Sequence, residues 1–286
     1  MMSAYSISTS YRVMTGEALI LSINQGVSIF LSQAAGFCDI ELARMYFKRN
    51  FIYFWFVVFI YTLLNLINYE ILIGVGVPKG IADEAEEFLK LEIVHTILFG
   101  LIDLVKSLLI AQKYFKIHVV FDGISFGFYV LLIYYLLKVK ELGLLGLALA
   151  DILNDLFLIV VYAIFCVLKR RKVELFLKGE FFTNRIFKFD KIWEIALKNI
   201  EVSSCMLITL ISSNMMGILI SPFCNETELA AYYGTLSAVL PLIVFGYVVP
   251  IALSVYLSKN SGGNNLDQVN MILNFRLPII TYHYFI

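Results

Sequence analysis

Gly26-Val27-Ser28-Ile29-Phe30-Leu31-Ser32-Gln33-Ala34-Ala35-Gly36 closes the first long apolar stretch of this chain. A weakened copy, Ala252-Leu253-Ser254-Val255-Tyr256-Leu257-Ser258-Lys259-Asn260-Ser261-Gly262, closes the last. Ser28/Ser254, Leu31/Leu257, Ser32/Ser258 and Gly36/Gly262 coincide, and the register continues upstream to Ala4/Ala230 without a gap. Solenoid repeats recur roughly every 20–50 residues. A copy this distant means that the repeated unit is a whole helical bundle, a plan common among membrane transporters.

The solvent for such a bundle is set by composition. The chain is 60% hydrophobic and 15% charged, with a mean hydropathy of +0.84, whereas soluble domains are about 25% charged. A membrane-spanning helix needs about 20 mostly apolar residues, and seven runs qualify: 14–36, 51–77, 92–111, 117–137, 142–168, 199–220 and 229–257. The stretch 277–286 is too short to cross. The expected fold is all-α: a polytopic membrane protein of about seven transmembrane helices, forming part of a two-lobe (6+6) transporter bundle.

Net charge is zero, so the total points to no nucleic-acid partner. Its distribution is more telling. Loops after the first, third and fifth spans carry Arg44, Lys48 and Arg49, then Lys113 and Lys116, then a series from Lys169 to Lys191. The alternate loops carry few cations, and the first of them holds Asp83, Glu84, Glu86 and Glu87. The positive-inside rule places the basic set in the cytosol. Six crossings separate the two repeat copies, so both end on the same side, as expected for halves related by an axis along the membrane normal. With a six-helix period, a complete protein has twelve helices, so helices are expected to be missing here at one or both ends.

Cys38, Cys166, Cys205 and Cys224 form no CxxC pair and read as packing residues rather than as disulfides or zinc ligands. No cleavable signal peptide is visible at the amino terminus. No P-loop, HExxH, GxSxG or glycine-rich nucleotide motif is present; no cofactor or metal is expected, the chain does not read as an enzyme, and energy for transport would come from an ion gradient. Asn225-Glu226-Thr227 is a glycosylation sequon in a loop that the charge bias places outside.

Ionisable side chains within hydrocarbon cost at least about 2.5–3.5 kcal/mol, so they face a bundle interior or wet cavity. Asp151 and Asp155, four apart, share a helix face with Asn154 beside them. Two carboxylates so close favour holding a proton, which makes them ion-coupling candidates; the bland alternative is that Asn154 and water satisfy them. Asp103, three residues before Lys106, is a third candidate, with a local neutralised pair as its structural reading. Asp122, Glu70 and His95 lie near span ends and read as interfacial. Gln33, Ser28 and Ser32, with Gly36, form a small polar stripe suited to helix packing or to lining a cavity.

Several of these segments resemble one family. Ser32-Gln33-Ala34-Ala35-Gly36 with Lys48-Arg49 resembles the end of the second helix of MATE (multidrug and toxic compound extrusion) transporters. Ala230-Ala231, Leu253-Ser254-Val255 and Gly262-Gly263-Asn264 are similar to that family's eighth helix. Gly143-Leu144-Leu145-Gly146-Leu147-Ala148-Leu149-Ala150 is similar to the start of its sixth helix, and Val77-Pro78 through Phe88-Leu89 to the loop after its third. The resemblance implies helices two to eight of twelve. On it, 1–168 supplies five spans of the N-lobe, 169–198 is a cytosolic inter-lobe linker, and 199–286 begins the C-lobe.

The resemblance also implies a secondary antiporter that exports amphipathic or cationic organic compounds against H+ or Na+ from a plasma membrane or endomembrane. Its partners would be the lipid bilayer, small organic solutes, and a second chain or further segment that completes the fold. Departures are visible: Cys205, Leu210 and Ser237 stand where eukaryotic members of the family carry carboxylates, and Glu201 is the nearest acid. Rival readings are a seven-helix receptor, which lacks the expected cytosolic motifs here, a lipid-linked oligosaccharide flippase, which would need more cavity cations than Lys106, and a non-transporting remnant.

Overall fold

A computed structural model describes residues 2–112, 114–169, 189–265 and 267–270. Its helices are α1 (Met2–Arg12), α2 (Ala18–Gly36), α3 (Ile40–Leu66), α4 (Asn68–Val75), α5 (Lys79–Ala111), α6 (Phe115–Ile133), α7 (Gly143–Leu168), α8 (Phe189–Ile220) and α9 (Glu226–Gly262). A π turn, Val13–Glu17, joins α1 to α2 without a break, and a second, Tyr134–Val139, ends α6. Among the described residues six helices are long and apolar enough to cross a membrane. The seventh expected span, 229–257, falls in α9, whose side chains from 240 to 251 lie outside the described residues. The protein is an all-α, multi-pass membrane protein.

Three spans differ from the hydropathy reading. The first reaches back to Ser3 rather than starting at residue 14, because the serine-rich segment before it folds as helix with Ser8 and Thr15 turned onto their own backbone and Ser10 bonded to Tyr233 of α9. Ser8 Oγ donates to the Ala4 carbonyl at 2.7 Å, and Thr15 Oγ1 does the same to Tyr11. Such back-bonding hides a polar side chain from hydrocarbon without an external partner. The second span is Ile40–Leu66 rather than 51–77. Asp39 caps α3, accepting from the Leu42 amide at 2.9 Å, and Cys38 turns the chain with φ 57°. The third starts at Lys79, just after α4 stops at Gly76. That glycine adopts φ 95°, a left-handed conformation that admits glycine most readily, and Val77 N–H closes the turn on the Leu72 carbonyl at 3.0 Å. The acidic residues 83–87 therefore ride on the first turns of α5. Of the expected linker, residues 170–188 lie outside the described residues, and from Phe189 the chain is already helical.

α2 is the central post, touching α3, α5, α8 and α9, while α7 packs on α5 and α6 on α7. One apolar core joins α2, α3, α5 and α7 through Val27, Leu31, Phe54, Val58, Leu108 and Leu158. A second, at the opposite end of α2 from Gly36, joins α1 to α4, α5, α8 and α9 through Ile7, Tyr11, Leu72, Leu89, Ile218 and Leu229. The outward stripe of α7 is Leu145, Leu149, Leu153, Leu156, Val160 and Ile164, all exposed, and its three- and four-residue steps define one helix face. In a bilayer that stripe meets acyl chains. The polar residues of α7 lie on the opposite side, toward the bundle.

The two repeat endings meet each other. A Cβ built on Gly36 would stand 2.2 Å from the Lys259 carbonyl oxygen, and one on Gly262 would stand 2.3 Å from that of Gln33. Lys259 is the repeat equivalent of Gln33, so the contact is reciprocal, as a pseudo-two-fold axis between the copies requires. Ser258 Oγ adds a bond to the Ile29 carbonyl at 2.9 Å. The stripe formed by Ser28, Ser32, Gln33 and Gly36 thus lies along this crossing, where small residues let backbones approach; Ser28 and Ser32 are buried, and Ser28 Oγ bonds the Gln25 carbonyl at 2.9 Å.

At the start of α9, Asn225 is the N-cap. Its side chain accepts from the Glu228 amide at 2.9 Å, and Glu228 returns the bond to the Asn225 amide at 2.9 Å, completing a capping box. The sequon asparagine therefore has a structural task. Asn225→Ala is expected to lower stability by about 0.5–2 kcal/mol and Asn225→Asp to retain most of it, as read by unfolding in mild detergent. Equal losses in both variants would dismiss the cap.

Candidate functional site

A cavity of about 330 Å³ opens between α1, the first π turn, α5, α6 and α7. Five of the ionisable groups on its wall, Arg12, Glu17, His95, Asp151 and Asp155, converge on one another. Arg12 is the hub. Its Nε lies 3.0 Å from Glu17 Oε1, and its Nη1 pairs with Glu92 Oε2 and lies 3.8 Å from Asp151 Oδ2. His95 Nδ1 lies 2.7 Å from Asp155 Oδ2, a close contact rather than an aligned hydrogen bond, and its Nε2 lies 3.4 Å from Glu17 Oε1. The Glu92 side chain is fully buried, and the others are only 5–12% exposed.

The first π turn makes this cluster possible. Residues five apart in an α-helix point about 140° away from each other, so Arg12 and Glu17 would ordinarily face different neighbours. Within the π turn Ala18 N–H bonds the Val13 carbonyl, five residues back. The extra residue brings Arg12 and Glu17 onto one side. π turns recur at functional sites for this reason. On α5, Glu92 and His95 are three apart and share a face, and on α7 Asp151 and Asp155 are four apart. Three separate helix faces thus point their charges at one place.

The expected proximity of Asp151 and Asp155 is present, but each has a basic neighbour of its own, Arg12 and His95 respectively. Asn154 is engaged elsewhere, accepting from Ser125 Oγ of α6 at 2.8 Å. Asp103 lines the same cavity. The anticipated local pair with Lys106 gives way to a bond across helices: Lys106 Nζ lies 2.8 Å from Asp122 Oδ1 on α6. His95, read from sequence as interfacial, is buried among acids. Glu70 is exposed on α4.

Arg12, Glu17 and Glu92 were not singled out from sequence. The signal existed in part, because Glu17 lies within the apolar run 14–36 and Glu92 starts the run 92–111. Both run edges look like membrane interfaces until the helices are seen to extend beyond them.

No family model and no curated protein matches the sequence. The structure aligns with the crystal structure of the eukaryotic MATE transporter AtDTX14 at a TM-score of 0.79 and 18% identity, over 95% of this chain. The fold is that of a MATE transporter. The chain spans 60% of the length of that MATE transporter chain. Of the positions where the family resemblance anticipates carboxylates, the side chains of Cys205 and Ser237 lie outside the described residues, Leu210 is half-buried, and nearby Glu201 is exposed on α8. In this MATE-like bundle the buried acids, among the described residues, gather instead around α1, α5 and α7.

Proposed function

We propose that the protein works as a secondary active antiporter of the multidrug-extrusion type, exporting amphipathic or cationic organic compounds against H+ or Na+. The observation that carries this reading is the buried acidic cluster on a cavity wall within a MATE-like fold. Uncompensated carboxylates inside a bilayer are costly and mark ion pathways, and an acid that alternates between cation-loaded and cation-free states is what coupling requires. Tyr5, Phe99 and Tyr129 share the cavity wall with the acids and offer aromatic faces that attract organic cations. Residues 199–286 are read as the beginning of a second lobe, with the Gly36 and Gly262 ends in the cytosol.

The test is flux. Purified protein is reconstituted into liposomes, and export of a fluorescent lipophilic cation is followed under an imposed pH or sodium gradient. Asp151→Asn and Asp155→Asn are each expected to reduce gradient-driven flux to the protein-free background. Undiminished flux in both variants removes the cluster from coupling, and absence of flux in the unaltered protein under either gradient rejects the antiporter reading.

A further inference from the structure

Gly26 of α2, Asn50 of α3 and Asn199 of α8 lie ten residues from Gly36, Ile40 and Phe189, the ends of their helices on one side of the bundle. At 1.5 Å of rise per residue the three form one layer, about 15 Å deep. Asn50 and Asn199 are fully buried in it. Asn199 Nδ2 donates to Asn50 Oδ1, and Asn50 Nδ2 donates to the Tyr46 carbonyl at 2.8 Å. The Asn199 amide reaches α3 through a notch in α2, where a Cβ built on Gly26 would stand 2.2 Å from Asn199 Oδ1. One side chain thus ties α8 to both α2 and α3.

The seam around this layer leaves polar atoms unpaired. Asn199 Oδ1 has no hydrogen-bond partner in the protein. Neither has Ser22 Oγ, four residues from Gly26 and so on the same face of α2, nor Ser32 Oγ at the crossing with α9; both serines are buried. Burying an unpaired polar atom costs its full desolvation, so closing the seam carries a penalty that opening it to water removes. At the other end of the bundle α1 meets α8 and α9 chiefly through Ile7, Tyr11, Ile218 and Leu229, an apolar contact. A joint that never opened would gain from apolar side chains at its inner end as well.

We infer that Asn199 is the latch of a reversible seal on the Gly36 side of the bundle, held shut by its bond to Asn50 and released at low cost because the closed seam leaves polar atoms unpaired. Its part in transport rests on the antiporter reading, under which α8 and α9 begin a second lobe and this side faces the cytosol. The latch itself rests on the contact between Gly26, Asn50 and Asn199. In the released state Asn199, Ser22 and Ser32 meet water, and no covalent bond changes.

The test reads opening separately from transport. Ser203 is 1% exposed and lies one turn deeper than Asn199 on α8. Ser203→Cys, in a chain whose Cys38, Cys166, Cys205 and Cys224 are replaced by serine, is labelled by a water-soluble maleimide when the seal parts. In the reconstituted protein, adding Asn50→Ala is expected to speed labelling at least about fivefold, because it leaves the buried Asn199 amide wholly unpaired. Asn50→Leu together with Asn199→Leu replaces the amide pair by apolar groups of the same branching; it is expected to slow labelling below that of the reporter alone and to abolish gradient-driven flux. If either variant fails to fold, Gly26→Ala, whose methyl group displaces Asn199, is expected to speed labelling in its place.

Equal labelling rates in the reporter and its folded variants overturn the latch. Slowed labelling with undiminished flux in the paired-leucine variant overturns its part in transport. Labelling that changes as expected in a protein showing no flux rejects the antiporter reading and leaves the latch standing.

Discussion

Arg12→Ala is expected to lower stability by about 3–5 kcal/mol, the usual consequence of stranding buried acids without their cation. The side chain touches Glu17, Glu92 and Asp151 together, and Glu92 has no exposed surface through which water could replace the lost partner. Thermal or denaturant unfolding in mild detergent measures the loss. A double-mutant cycle identifies its origin: Arg12→Leu combined with Glu92→Leu should recover part of what Arg12→Leu alone removes, because the apolar pair eliminates the fully buried one of the three carboxylates that Arg12 otherwise strands. A loss within about 0.5 kcal/mol for Arg12→Ala, the range of an ordinary surface substitution, would mean that the cluster is wetter than its burial implies.

The second large effect is expected at the crossing of α2 and α9. Gly36→Ala and Gly262→Ala each bring a methyl group to within 2.2–2.3 Å of a backbone carbonyl oxygen on the other helix. Backbone cannot rotate away as a side chain can, so the helices must part. Overpacking of this kind costs about 1–3 kcal/mol. The paired variant should cost less than the sum, since the first methyl already opens the space for the second. Melting temperatures of the three variants measure this. Additive losses would mean that the two glycines serve separate contacts rather than one.

Those glycines also show what was legible in the sequence. Their shared register in two distant segments predicts duplicated bundles, and the structure puts the two segments in mutual contact. Asp151 and Asp155 were legible because they interrupt an otherwise apolar helix. His95, Glu92 and Arg12 were not, for a common reason: hydropathy locates a span by its greasiest window, and helices that continue past that window on serine and charged residues leave their inner groups looking like interfacial ones. The partner of Lys106 was missed because spacing along one helix says nothing about Asp122 on the next. Residues five apart do not suggest a shared helix face, and no side-chain pattern at 13–17 announces a π turn.

That turn has a mechanical consequence. A helix with one surplus residue in a single turn has a built-in swivel: moving the surplus by one position re-pairs only a few carbonyls and re-aims the residue it passes by roughly 100°. Arg12 lies immediately on the far side. A quarter-turn or so at this joint carries the guanidinium away from all three of its acids at once, exchanging the charge compensation of the whole chamber through a local twist while the rest of the long rod stays straight.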